Sequence, residues 1–216
     1  MTEYSCQAVL VKLALKELFA NPTIEQLGKL ISTSTEKEAY ASIPPIKEAP
    51  TYAVSSSQRR LWVLSRFEGA NEAYNIPQVV RLEGSLNEQA FSKAYQSLLT
   101  RHEVLRTIFT EDGEGNPRQR ILPVTHQHFT IQQADYSHYT QEEKDLTIRD
   151  YVSQEVSRGF SLEEGPLIRC TLLKETENSY IWVLVMHHIV SDGWSMGVFH
   201  RELSELYNSG LEGRAS

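Results

Sequence analysis

The chain has 216 residues, of which 40% are apolar and 23% charged, which suits one sizeable core or two small domains and excludes a disordered chain. Its net charge of -7 and isoelectric point near 5.5 argue against a nucleic-acid partner, because no dense patch of lysine, arginine and aromatic residues is present. Residues 1–6 lack the pattern of a signal peptide and no apolar run approaches a membrane span, so we expect a cytoplasmic protein.

Residues 1–32 predict a small helical segment. It contains two short helical patterns separated by Asn21-Pro22, and Thr23 is the predicted cap of the second helix. Residues 33–51 are polar and contain prolines, which predicts an extended linker. A second domain is therefore expected at residues 52–216.

In that domain helical and strand patterns alternate, which predicts an α/β sandwich. We expect a helix that is capped by Ser57 and ends at Arg66, further helices at Asn87–Thr100, Gln141–Arg158 and Ser195–Asn208, strands at Ile76–Leu82, Arg118–Leu122 and Phe129–Gln133, and a hairpin of strands Leu167–Lys174 and Tyr180–His187. The pattern contains no internal repeat.

Metal binding and cysteine catalysis are both disfavoured. His126 and His128 share a strand face and could chelate an ion, but a solvated surface is the better interpretation, and no set of residues has zinc-site spacing. Cys170 lies in an apolar predicted strand, and Cys6 is far from it in sequence, so we expect Cys170 to be a buried hydrophobic residue rather than a nucleophile.

The segment with the strongest chemical signal follows the apolar run from Tyr180 to Met186. His187 and His188 end this predicted strand and should point to opposite sides, so we expect only His188 to be exposed to a substrate. Asp192 could orient His188 or hold the loop through an arginine, across a turn that Gly193 can relax. The competing interpretation is that the histidines are hydrogen-bonded structural residues.

Four segments, in order, resemble the condensation domains of nonribosomal peptide synthetases, which have the chloramphenicol acetyltransferase-like fold. His187-His188-x-x-x-Asp192-Gly193 resembles the HHxxxDG motif, and residues 101–109 match RHExLRTxF at every fixed position. Residues 55–64 are similar to the first core motif, and residues 160–169 to FDLxxGPLxR, with Ser161 in place of the usual aspartate. Together these matches cover about residues 52 to 208.

The resemblance implies that the domain forms an amide bond between a carrier-bound acyl or peptidyl thioester and a carrier-bound aminoacyl acceptor. His188 would remove a proton from the amine or align the amine; both roles stay open. His187 belongs to the same motif, Asp192 would pair with Arg106, and Gly193 would donate its N–H to the developing oxyanion. The residues around the motif are similar to the subtype that joins an L donor to an L acceptor, and differ from epimerising and heterocyclising relatives.

The resemblance also bears on cofactors and partners. Residues 18–24 are similar to the end of a carrier protein, although an amphipathic arm packed on the next domain is the alternative. The phosphopantetheine attachment motif is absent, so we expect no covalently bound cofactor; the substrates would be carried by phosphopantetheine on separate carrier domains.

A condensation domain has two lobes with the active site between them, and residues 52–216 correspond to the N-terminal lobe only. We therefore expect the chain alone to have little or no activity, and to expose an apolar face that supports self-association in place of the missing C-terminal lobe. Two alternatives stay open: an acyltransferase of the same superfamily that acts on a free hydroxyl or amine, and a noncatalytic interaction module.

Overall fold

A computed structural model describes residues 15–33, 44–67, 71–125 and 129–214 of the chain. The chain divides into two compact units, Met1–Glu48 and Ala49–Ser216. None of the helices in these described ranges is both long and apolar enough to cross a membrane.

The first unit contains the two predicted short helices, α1 (Leu15–Ala20) and α2 (Ile24–Thr33). Thr23 caps α2 as predicted, since its Oγ1 accepts the Gln26 N–H at 3.3 Å while the Gln26 side chain accepts the Thr23 N–H at 3.3 Å. Residues 44–49 of the predicted linker are exposed and have no regular structure, whereas residues 34–43 lie outside the described part of the chain.

Within its described residues, the second unit contains four helices and seven strands. In chain order they are β1 (Tyr52–Ala53), α3 (Ser56–Leu64), β2 (Asn75–Glu83), α4 (Glu88–Arg101), β3 (Thr107–Glu111), β4 (Pro117–Ile121), β5 (Gln132–Asp135), α5 (Gln141–Ser157), β6 (Ile168–Thr176), β7 (Ser179–His187) and α6 (Gly193–Glu212). Short 3-10 turns lie at Glu72–Tyr74 and Glu103–Arg106.

These strands form two sheets. The larger has the order β2-β7-β6-β5, and β5–β6 is its parallel pair, whereas β2–β7 and β6–β7 are antiparallel. The smaller has the order β1-β4-β3 and is antiparallel. The predicted hairpin is confirmed as the β6–β7 pair, which lies in the middle of the larger sheet.

The central strand β7 is buried on both faces. On one face Trp182, Leu184 and Met186 pack in a core with α4 and α6, and on the other face Val183 and Val185 pack in a second core with residues of α3 and α5. This explains the unbroken apolar run in the sequence, because neither face of the strand contacts water. The end of β7 is therefore a rigid base for the residues that follow.

Three sequence predictions in this unit need correction. The cap of α3 is Ser55, not Ser57, because residue 55 has the extended backbone that a cap requires, and its side chain accepts the Gln58 N–H at 3.1 Å. The structure contains β3, which was not predicted, because the motif of residues 101–109 combines the end of a helix, a turn and a strand. The strand predicted at residues 129–133 begins at Gln132, and Phe129 is buried in the core instead.

Cys170 is a buried residue of β6, as predicted. Only 2% of it is exposed, and the Trp182 Nε1–H donates to its sulfur at 3.2 Å. Burial raises the pKa of the thiol to about 12, which makes it a poor nucleophile. His126 and His128 lie outside the described residues, and in the described ranges no group of three acidic, histidine or cysteine side chains could hold a metal ion.

The position of the α3 cap can be tested by two alanine substitutions. Ser55→Ala removes the capping hydrogen bond and should lower the free energy of unfolding by about 1 kcal/mol. Ser57→Ala, the matched control inside the helix, should leave it unchanged or raise it slightly, because alanine favours helix. Urea denaturation measures both values, and a larger loss for Ser57→Ala would contradict the assignment.

Candidate active site

The two adjacent histidines lie where β7 ends. His187 is the last residue of the strand and is 0% exposed, whereas His188 begins the following turn and is exposed. The turn leads through residues 188–192 to the first residue of α6. The prediction that the two rings have opposite environments is confirmed.

His187 makes a hydrogen bond with each of its ring nitrogens. Its Nδ1 accepts the Ile189 N–H at 3.1 Å, and its Nε2 lies 2.8 Å from Asn71 Oδ1. A nitrogen that accepts from an N–H carries no proton itself, so the neutral ring has its proton on Nε2 and donates to Asn71. His187 is thus held in one tautomer by partners on both sides.

The surroundings of His187 oppose its protonation. Burial is the main reason that its pKa is lowered from 6.5 to about 4, and the neighbouring His188 lowers it further. The ring also contacts two aromatic rings, with centroid distances of 6.1 Å to Phe160 and 6.2 Å to Tyr74. The neutral, buried ring cannot exchange protons with a substrate.

His188 is anchored by its main chain and presents its side chain to solvent. Its N–H donates to the Tyr74 carbonyl oxygen at 2.8 Å. No hydrogen bond to its imidazole is formed by the described part of the chain, so both ring nitrogens are available to a bound molecule. This is the only one of the two histidines that a substrate can reach.

Asp192 caps helix α6. Its Oδ1 accepts the Ser195 N–H at 2.8 Å and also the Ser195 hydroxyl, while the Asp192 N–H donates to Ser195 Oγ at 2.7 Å. These hydrogen bonds from the Ser195 side chain and main chain hold the pKa of the carboxyl below its usual range, and the nearby His188 contributes to the shift. Asp192 therefore fixes the start of α6 beside His188.

The predicted ion pair between Asp192 and Arg106 is wrong for the structure that the described residues form. The Arg106 guanidinium instead donates to the carbonyl oxygen of Leu99 at 2.7 Å, through Nε, and to that of Leu122. Leu99 lies in the last turn of α4, where carbonyl oxygens have no partner within the helix, and a cationic donor satisfies them. Arg106 thus ties the end of α4 to the segment after β4.

Gly193 is the first residue of α6, and its backbone is not in the left-handed region that favours glycine. The expectation that its conformational freedom is needed for the turn is therefore wrong. A Cβ at this position would have no atom within 4 Å, so the missing side chain leaves open space at the start of the helix. That space follows directly after Asp192 in the chain.

An apolar cavity of about 140 Å³ lies beside the same turn. Its walls include Leu105, Val190 and Phe199, and Val104 and Trp194 stand at its rim with 42% and 85% of their surface exposed. Ser191 also lines it, and its buried hydroxyl oxygen has no hydrogen-bond partner among the described residues. The predicted exposed apolar surface is present here, next to the exposed histidine.

Two residues of the site were not recognised in the sequence. Asn71 contacts His187 and Tyr74 contacts both histidines, yet they precede them by more than a hundred residues. No local pattern reports such a contact, although the pairing of Asn75 with His187 in the β2–β7 ladder brings the two segments together.

Comparison with known proteins gives one consistent family. A family model described as the condensation domain matches residues 48–216. The chain is 37% identical over 199 residues to one of the plipastatin synthase proteins of Bacillus subtilis (strain 168), which covers 92% of this chain and 7% of that protein. It is 40% identical over 197 residues to gramicidin S synthase 2 of Aneurinibacillus migulanus, which covers 91% of this chain and 4% of that protein. The chain thus spans less than a tenth of these relatives.

Solved structures agree on the fold. The first condensation domain of the calcium-dependent antibiotic synthetase, in complex with substrate analogue 2a, matches with a TM-score of 0.69 at 23% identity, over 77% of this chain and 39% of that chain. The starter condensation domain of rhizomide synthetase RzmA matches with a TM-score of 0.68 at 24% identity, over 77% of this chain and 40% of that chain. The predicted α/β sandwich of chloramphenicol acetyltransferase-like type is confirmed.

The environment of His187 predicts how stability depends on pH. Its pKa is lower in the folded state than in the unfolded state, so the unfolded state binds an additional proton between pH 6.5 and about 4. The free energy of unfolding should be complete above pH 6.5 and fall as the pH approaches 4, by up to about 3 kcal/mol from this residue, at about 1.4 kcal/mol per unit of pKa difference.

Urea denaturation at several pH values measures this dependence. His187→Gln should be less stable at pH 7, because a buried hydrogen-bonded ring is lost, and should show a shallower loss between pH 6.5 and 4. The matched control His138→Gln, at an exposed histidine, should keep the slope of the wild type. Equal slopes for all three proteins would contradict the neutral, buried state of His187.

The assignment of Asp192 as a helix cap makes a separate prediction. Asp192→Ala should lower the urea midpoint, whereas Asp192→Asn should largely retain it, because asparagine caps helices as well as aspartate does. An ion pair with Arg106 would instead make the asparagine variant as unstable as the alanine variant.

Proposed function

This chain belongs to the condensation-domain family, and on that premise we propose that residues 52–216 are the N-terminal, motif-bearing lobe of a condensation domain in a nonribosomal peptide synthetase. The start near residue 52 is supported by the compact unit that begins at Ala49 and by the family match from residue 48. Residues 1–32 are proposed to be the end of a preceding carrier domain, and residues 33–51 the linker.

The proposed reaction forms an amide bond between two carrier-bound substrates. The amine nitrogen of the acceptor attacks the thioester carbonyl carbon of the donor, a C–N bond forms and the C–S bond breaks. The amine loses one proton, and the departing thiolate of the donor's phosphopantetheine takes one up. The side chains of this chain have to orient the amine, accept or direct its proton, and stabilise the oxyanion of the intermediate.

The observation that carries this proposal is the state of the two histidines. His188 has an exposed imidazole with two available nitrogens, and it stands on a turn fixed by the buried, neutral His187. Such a ring can accept a proton from an amine near neutral pH or hold the amine by a hydrogen bond. We assign this function to His188 and leave open which of the two roles it has.

The other motif residues have supporting roles in this proposal. His187 and Arg106 are positioning residues, because their polar atoms bind main-chain or side-chain groups of the protein. Asp192 orients the start of α6 and contributes negative charge beside His188. The open space at Gly193 allows a substrate to approach the N-terminal end of α6, where a main-chain N–H favours a developing negative charge.

The partners follow from the same proposal. Donor and acceptor are delivered by phosphopantetheine on separate carrier domains, and a C-terminal lobe closes the site from the side where Val104 and Trp194 are exposed. Without that lobe the same apolar surface favours self-association, and the chain alone should not position two substrates. Joining of an L donor to an L acceptor and a cytoplasmic location remain predictions.

The role of His188 can be tested in an intact synthetase that contains this chain. His188→Ala should lower the rate of dipeptide formation between two loaded carriers by about 100-fold or more, because a positioned acid-base group contributes on this order. His138→Ala, at another exposed histidine, should have the activity of the wild type. Product is measured by mass spectrometry after cleavage from the carrier.

Two controls make the result specific. The loading of both carriers should be equal in all variants, and the circular dichroism spectrum of His188→Ala should match the wild type, since the exposed ring is not part of the core. Unchanged product formation by a folded, fully loaded His188→Ala synthetase would refute the assignment.

A further inference from the structure

The short segment at residues 71–75 holds both histidines of the site from one side. The Asn71 side chain contacts His187 through Oδ1 at 2.8 Å and donates through Nδ2 to the carbonyl oxygen of Phe160. Three residues later, the Tyr74 carbonyl oxygen accepts the N–H of His188. The same segment therefore links the turn after β7 to the connection between α5 and β6.

The hydrogen bonds around Asn71 are compatible with only one arrangement of donors and acceptors. The Ile189 N–H donates to His187 Nδ1, so His187 Nε2 carries the proton and needs an acceptor. Asn71 Oδ1 is that acceptor, and the orientation of the amide is fixed because Nδ2 needs the Phe160 carbonyl as its own acceptor. Each polar atom of this series has a partner of the complementary kind.

We propose that Asn71 is a positioning residue for the condensation reaction: its side-chain oxygen fixes the tautomer and orientation of His187, and His187 in turn fixes the turn that presents His188. The proposal rests on the proposed function, because it concerns the geometry of the ring that acts on the substrate. It adds a residue outside the four motif segments that carry the family resemblance.

The neutral amide of asparagine suits this position better than a carboxylate. A carboxylate beside Nε2 would favour the doubly protonated ring, whose Nδ1–H would then face the Ile189 N–H across 3.1 Å with no acceptor between them. The turn would have to open to separate the two donors. The tautomer of His187 and the shape of the turn are thus coupled through Asn71.

The charged and titratable groups around His187 also favour a neutral ring. His188 is the next residue on the same segment, and Tyr74 approaches from the neighbouring 3-10 turn. From β6, the Arg169 guanidinium stacks on Phe160 with 3.8 Å between its central carbon and the ring centroid, and Phe160 contacts His187 edge-on. The Arg169 cation and the nearby second imidazole both disfavour another positive charge.

The first experiment tests the bond itself and needs no activity. In the 216-residue chain labelled with ¹⁵N-histidine, long-range ¹H–¹⁵N spectra should show His187 with its proton on Nε2 at pH 7. Asn71→Asp should raise the pKa of His187 by about one unit or more, on the order of the shift that a close carboxylate produces. Asn178→Asp, at an exposed hairpin residue, introduces the same charge and should leave the pKa of His187 unchanged.

The second experiment tests positioning in the intact synthetase. Asn71→Ala should lower kcat for amide formation by about 10- to 100-fold, as expected for a misplaced reacting group, with KM changed far less. The deficit of Asn71→Asp relative to the wild type should be small at pH 8 and deepen towards pH 6, as His187 becomes protonated. Asn178→Asp should match the wild type at each pH.

The outcomes separate this proposal from the proposed function. An Nδ1-protonated His187 in the wild type, or an Asn71→Ala synthetase with unchanged kcat while His188→Ala is inactive, overturns the role of Asn71 and leaves the proposed function standing. If His188→Ala is fully active, the proposed function fails, and the positioning role fails with it. If Asn71→Asp does not fold, the tautomer of the wild type and the kinetics of Asn71→Ala still decide.

Discussion

The candidate site depends on one buried ring. His187 ends the central strand of the larger sheet and is hydrogen-bonded at both nitrogens, to the main chain two residues later and to Asn71. Because burial keeps it neutral, it can accept with one nitrogen and donate with the other, which a protonated ring cannot do. This combination converts the end of a strand into a turn of fixed shape, and the next side chain of that turn is the exposed His188.

The packing around β7 makes this arrangement rigid. Alternate residues of the strand are buried in two separate cores, one with α4 and α6 and one with α3 and α5. A strand held on both faces and paired on both edges has little freedom to shift its register. Helix α6 then begins at a capping box formed by Asp192 and Ser195, so the turn is fixed at both ends.

How much of this could be predicted from the sequence depends on the distance over which the signal acts. The exposure of His188 and the burial of His187 follow from the alternation of a strand, and the helical N-terminal segment follows from Asn21-Pro22 and Thr23; the structure confirms both. The contact of Asn71 with His187 depends on the pairing of distant strands, which no local pattern encodes. The Arg106–Asp192 pair failed for a related reason, since each residue satisfies a local requirement, a helix end for Arg106 and a helix start for Asp192.

The central claim is that the two adjacent histidines have opposite accessibility, and chemical modification measures this directly. The chain is treated with limiting diethyl pyrocarbonate at pH 7, and fragmentation mass spectrometry assigns the modified ring. The account predicts rapid modification of His188 and protection of His187 until the protein is unfolded in urea. Equal rates for the two rings in the folded protein, or faster reaction of His187, would contradict it.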